Sequence, residues 1–122
     1  MRKYLDDINY DYKCIPNDKR QKLLQEQQEK YGFDERETWD INQAFITFVY
    51  ERLMMYNEVN NVNCEFCKVD VNGKEYTLQE CIDKMLELCK VLLFKDLLDK
   101  DYIDIHNKFM DIFKASLLAL WW

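Results

Sequence analysis

Tyr31-Gly32-Phe33-Asp34-Glu35-Arg36-Glu37-Thr38-Trp39 runs directly into Asp40-Ile41-Asn42-Gln43-Ala44-Phe45-Ile46-Thr47-Phe48-Val49-Tyr50-Glu51-Arg52-Leu53-Met54-Met55-Tyr56. Gly32 is a helix stop, free to take the positive φ that a helix end requires. It closes a first helix over about 18–31, capped by Asn17 or Asp18, whose apolar content is only Leu23, Leu24 and Tyr31. Asp34 is followed three residues later by Glu37, the spacing of a capping box, and Thr38 offers a second cap. Acidic residues in a first turn suit the helix dipole. Trp39 reads as a buried anchor at the helix start. Apolar residues at 41, 44, 45, 48, 49, 53 and 56 follow one 3.6-residue face, while Asp40, Gln43, Thr47, Glu51 and Glu58 largely avoid it. A second helix to about Glu58, central to the core, is the expectation.

Outward from this segment, Asn60-Asn61-Val62-Asn63 breaks the periodicity, and residues 65–71 alternate. Asn72-Gly73, two residues comfortable at positive φ, then separates that stretch from Lys74-Glu75-Tyr76-Thr77, the pattern of a hairpin with a two-residue turn. Thr77-Leu78-Gln79-Glu80 is a complete capping box and opens a third helix to about residue 94. Its stripe is Leu78, Cys81, Ile82, Met85, Leu86, Cys89, Leu92 and Leu93. Asp99 or Asp101 caps a fourth helix with Tyr102, Ile105, Phe109, Ile112, Phe113, Ser116, Leu117 and Leu120 on one face. Residues 1–16 read as an N-terminal arm ending at Pro16, with Tyr4, Leu5, Ile8 and Tyr12 able to dock on a single helical domain over 17–122. The expected fold is mainly α, a small bundle of three to four helices with one short β-hairpin. Its expected core is Ile41, Phe45, Phe48, Leu53, Ile82, Met85, Leu86, Cys89, Phe109, Ile112, Phe113 and Leu117.

Composition supports this reading. The chain has 122 residues, of which 48% are apolar, but only two glycines and one proline. So few turn formers suit long helices better than a sandwich or barrel, and the length suffices for one real core. The net charge is −6. Residues 31–62 hold six acidic groups against two basic ones, and no basic stripe exists to displace counterions from a phosphate backbone. Direct nucleic-acid binding is therefore not expected. No window approaches a membrane span. Met1-Arg2-Lys3-Tyr4-Leu5-Asp6-Asp7 lacks the apolar stretch of a secretory signal, so the five cysteines are expected as reduced thiols in a cytoplasm.

The run from Gly32 to Trp39, with Phe45, Phe48 and Tyr50-Glu51-Arg52-Leu53, resembles a group of small uncharacterised bacteriophage-encoded proteins. Glu80 to Met85, and Ile112-Phe113 leading to Leu120-Trp121, extend the resemblance over about residues 31–58 and 78–122. It implies a viral context, and with it the cytoplasm of an infected bacterial host, without implying an activity.

Reactive groups are few. Cys64-Glu65-Phe66-Cys67 is a Cys-x-x-Cys that could join Cys81, Cys89 or His106 as zinc ligands, yet a structural zinc signal needs a second close pair and none is present. Cys81 and Cys89 lie on an apolar helix stripe, where small core residues are expected. His106 is the single histidine and Ser116 the single serine, neither in a nucleophile motif. No cofactor and no enzymatic activity are expected.

The leading functional expectation is a phage accessory protein that binds and inhibits a host protein, as an anti-CRISPR or other anti-defence factor does. Its acidic surface would fit a target with a basic nucleic-acid channel. Glu35, Glu37, Asp40, Glu51 and Glu58, with Trp122 as an exposed terminal aromatic, are the candidate partner-binding residues, and a homodimer through the terminal aromatics is an allied expectation. Arg36, Trp39, Arg52 and Tyr56 form an alternative set that would sequester a host signalling nucleotide, arginines on phosphate and rings on base. A virion assembly protein is the third reading.

Overall fold

The structure, a computed structural model, describes residues 21–60 and 64–120. The proposed arm at 1–16, the break at 61–63 and the terminal Trp121 and Trp122 lie outside the described residues. Four helices and one hairpin follow in order: α1 Gln21–Tyr31, α2 Ile41–Val59, β1 Lys68–Val71, β2 Lys74–Thr77, α3 Leu78–Phe94 and α4 Asp99–Ser116, the last ending in a 3-10 turn at Leu117–Ala119. This is the expected mainly helical bundle with one β-hairpin.

The hairpin obeys the Asn-Gly signal. Asn72 and Gly73 both take positive φ, 54° and 87°, and Val71 pairs with Lys74 across the turn. A turn of this hand matches the twist of the flanking strands. Val69 pairs with Tyr76 in the same register, so Val69, Val71, Lys74 and Tyr76 share the face turned toward the helices. The Asp70 carboxylate accepts from the Gly73 N–H at 2.7 Å and fixes the tip.

β2 runs straight into α3 through the capping box. Thr77 Oγ1 accepts from the Glu80 N–H at 3.1 Å, and the Glu80 carboxylate accepts from the Thr77 N–H at 3.0 Å. α3 is the centre of the molecule, packed by α2 and by α4. Leu78, Ile82, Met85 and Cys89 are wholly buried along it, and Phe109 of α4 meets them. The loop of residues 95–98 is short and returns α4 against α3. The Ser116 hydroxyl, buried as expected, donates to the Ile112 carbonyl and lies 3.7 Å from Met85 Sδ, which sets that register.

Three expectations are corrected. The segment before α2 is not the first turn of one long helix: Glu35–Thr38 form a separate 3-10 turn capped by Asp34, and α2 begins at Ile41 with Asp40 as its cap. Thr38 is not a cap, since its hydroxyl donates to the Glu35 carbonyl. α4 starts after Leu98 with no side-chain cap, so neither Asp99 nor Asp101 serves, although both remain in the first turn where the dipole favours them.

A further correction concerns the phase of α2. The buried face is Ile46, Val49, Tyr50 and Leu53, spaced i, i+3, i+4, i+7. Ile41 and Phe48, expected in the core, are exposed, as are Leu117 of the terminal turn and Trp39. Thr47 and Glu51, expected to avoid the core face, are buried. Phe45 remains near the core edge, edge-on to Phe109 and Phe113.

Candidate functional site

Asp34 and Arg36 form a closed ionic knot beneath the start of α2. The two carboxylate oxygens of Asp34 take the Arg36 guanidinium bidentately, Nε at 2.9 Å and Nη2 at 2.7 Å, and also accept from the Arg36 backbone N–H and from Gln28 of α1. Arg36 foremost, aided by Gln28, holds the Asp34 carboxyl at about 2, against the upward pull of burial. Gln27 bonds to Glu35 by both backbone and side chain, so α1 is anchored to this turn by two glutamines.

This knot decides where the predicted nucleotide set stands. The Arg36 guanidinium is engaged by Asp34. The Arg52 guanidinium lies 3.6 Å over the Phe48 ring. Arg52 and Tyr56 sit 11 and 15 residues beyond Ile41 on α2, roughly 16 and 22 Å along its axis. Trp39 is at the opposite end. The four residues are thus spread from the 3-10 turn along most of the length of α2.

The predicted acidic residues also divide. Glu35 and Glu37 occupy the 3-10 turn, Asp40 caps α2 through the Gln43 N–H, and Glu58 is exposed at the far end of the same helix. Buried Glu51 lies 3.9 Å from Arg52. Trp122 is outside the described residues.

Between the acidic ends runs a feature not anticipated from sequence. Ile41, Phe48, Met55 and Val59 are each at least half exposed, from 50% to 70%. Spacings of seven, seven and four place them on one side of α2, opposite the buried face. Trp39, just before the helix start, is also 50% exposed. The result is an apolar ridge about 28 Å long, bordered by carboxylates at both ends.

The cysteine pair has a backbone role. The Cys67 carbonyl accepts from the Leu78 N–H at 2.7 Å and the Cys64 carbonyl from the Gln79 N–H at 3.3 Å. The Cys-x-x-Cys loop thus caps the start of α3, using donors that a helix leaves unpaired. Burial pushes the Cys64 and Cys81 thiols up, and drives Cys89 to about 12. Among the described residues no group of three or more His, Cys, Asp or Glu side chains is placed to hold a metal ion. His106 is engaged elsewhere: Asn42 donates to the Tyr102 hydroxyl at 2.6 Å, which leaves its carbonyl to accept from His106 Nε2 at 2.8 Å. That clip ties the start of α2 to α4.

No family model, curated protein or solved structure matches this chain. Its surfaces must therefore be read from their own chemistry. One more stands out: the hairpin, α3 and α4 enclose a cleft of about 520 Å3. Val71, Tyr76, Cys81 and Ile112 supply its apolar wall, and Lys74, Lys84 and Lys108 reach it from the three surrounding elements. The register signal that reveals it was present in the sequence, since Lys74 must share a hairpin face with Val71 once Asn72-Gly73 makes the turn. Among the described residues no helix is long and apolar enough to cross a membrane.

Proposed function

We propose that this chain is a non-catalytic phage accessory protein that binds a host protein and inhibits it by occupying a functional surface. The observation that carries the reading is the apolar ridge of α2. Exposed large apolar side chains aligned along one helix face mark an interaction surface, because isolated ones would be scattered. A ridge of this kind is the helix-in-groove mode of recognition, with anchors one turn or two turns apart. The charge around it specifies the partner. Residues 31–62 carry six acidic groups and two basic ones, and both arginines are already engaged, one by Asp34 and one on the Phe48 ring. The fitting occupant is an apolar groove with a basic rim, as at the mouth of a nucleic-acid channel. The phage setting rests on the resemblance of the Gly32–Trp39 run, and the inhibitory, anti-defence role on that setting together with the small size and the acidic, apolar-ridged surface.

The test is capture from a bacterial host lysate by immobilised wild-type chain and by a Phe48→Ala, Met55→Ala double variant. Both substitutions lie on the exposed ridge, so the variant should retain the wild-type circular dichroism spectrum. A single retained host protein, lost with the variant, weakened by rising salt and inhibited by the purified chain in its own assay, is the expected result. Equal retention by both forms would overturn the reading.

A further inference from the structure

The cleft under the hairpin has the chemistry of a ligand site, and α2 contributes nothing to it. Its volume of about 520 Å3 lies within the range of small-molecule sites. One wall is apolar, with Cys81 from α3 and Tyr76 from β2 among its lining residues. The other feature is charge of the wrong sign for this protein. In a chain of net charge −6, three lysines from three different elements converge on one opening.

Two carboxylates, Glu80 and Asp111, line the cleft beside the three lysines, and each is held by a neutral hydrogen-bond donor. Glu80 is held by the Thr77 N–H in the capping box, and Asp111 accepts from the Asn72 amide at 3.2 Å. Lys74 sits 5.3 Å from the Tyr76 ring centre, and Lys84, at the cleft, pairs with Glu87 at 3.4 Å. Neither Lys74 nor Lys108 has a carboxylate within 4 Å among the described residues. An anion placed between these two lysines would gain from both.

We propose that the cleft between the hairpin, α3 and α4 binds a phosphorylated aromatic molecule of nucleotide size. Its phosphate lies among Lys74, Lys84 and Lys108, and its ring rests on Tyr76 and the apolar wall. Three ammonium groups suit the charge of a phosphate monoester better than that of a single carboxylate. The Asn72 and Asp111 side chains keep one unshared acceptor oxygen each, enough to read a ring amine. This site shares no residue with the Arg36, Trp39, Arg52 and Tyr56 set, and it stands or falls apart from the α2 ridge.

The experiment is isothermal titration calorimetry of the full chain with the common nucleoside 5′-monophosphates, the corresponding nucleosides and inorganic phosphate. The comparison proteins are a Lys74→Ala, Lys108→Ala double variant and a Lys90→Ala control on α3 outside the cleft. Expected is saturable binding of at least one nucleotide, weakened tenfold or more in the double variant and unchanged in the control. Inorganic phosphate should bind more weakly than the nucleotide, because it lacks the ring. Three results would overturn the proposal: no nucleotide binding to folded wild-type protein, equal binding by the double variant, or equal binding of the unphosphorylated nucleoside. All three substituted lysines are exposed, so circular dichroism should verify that each variant is folded.

Discussion

Replacing Asp34 by Asn tests the knot on which α1, the 3-10 turn and the start of α2 all depend. The substitution keeps shape but removes the charge that Arg36 faces, and it offers an amide N–H₂ where an acceptor is needed. The carboxyl lies at about 2 rather than the ordinary 3.8. At 1.36 kcal/mol per unit, the charged form stabilises the fold by about 2 kcal/mol at neutral pH. Leaving a partly buried guanidinium without its partner adds to this, so a total loss of about 2–4 kcal/mol is expected. For a domain of this size that is a fall of roughly 6–15 °C in Tm. The sign of the pH dependence follows from the direction of the shift. A carboxyl depressed on folding stabilises above its unfolded value and loses that contribution as the pH falls through its folded value. Wild-type protein should therefore approach the variant between about pH 4 and pH 2. Urea unfolding followed by circular dichroism at intervals from pH 7 to pH 2 measures both. A variant that matches wild type at pH 7, or a difference that stays constant down to pH 2, would refute the knot as drawn.

The two faces of α2 can be separated by truncation. Ile46→Ala, at 1% exposure, should cost about 2–5 kcal/mol, whereas Phe48→Ala, at 53%, should cost well under that and chiefly release Arg52 from its ring. Equal losses in a chemical melt would show that the helix phase is misassigned. Among the described thiols, Cys67, only partly buried, should alkylate first in native protein. Cys89, with its thiol near 12, should resist at pH 8 until denaturant is added, as mass spectrometry of iodoacetamide-treated samples would report.

How far the fold was legible depended on how local each signal was. The Thr77–Glu80 box and the Asn72-Gly73 turn are interactions between residues three or fewer apart, and both are present as read. The α3 stripe was equally clear, because Cys81, Ile82, Met85, Cys89 and their neighbours leave Asp83, Lys84, Glu87 and Lys90 to solvent. Asp34 misled for a related reason. Its carboxylate does cap a turn, as the spacing with Glu37 suggested, but a bidentate arginine two residues on holds that turn as an independent unit. Sequence spacing carries no sign of which of two nearby aspartates opens the longer helix. The cleft lysines, distant in sequence, meet only when the hairpin folds over α3 and α4.

The error in α2 is more informative than the successes. Between residues 41 and 56 the helix has apolar residues on nearly every side, so a 3.6-residue period can be drawn through Ile41, Phe45 and Phe48 as readily as through Ile46, Val49 and Leu53. A helix apolar all round is normally buried all round. Here α3 takes only the Ile46–Leu53 side, and half or more of Ile41, Phe48, Met55 and Val59 stays in water. A solvated face free of other demands would be expected to carry charged residues, as α3 and α4 largely do on theirs. The second apolar face is thus the property that defeats periodicity and also the property on which the proposed partner binding rests.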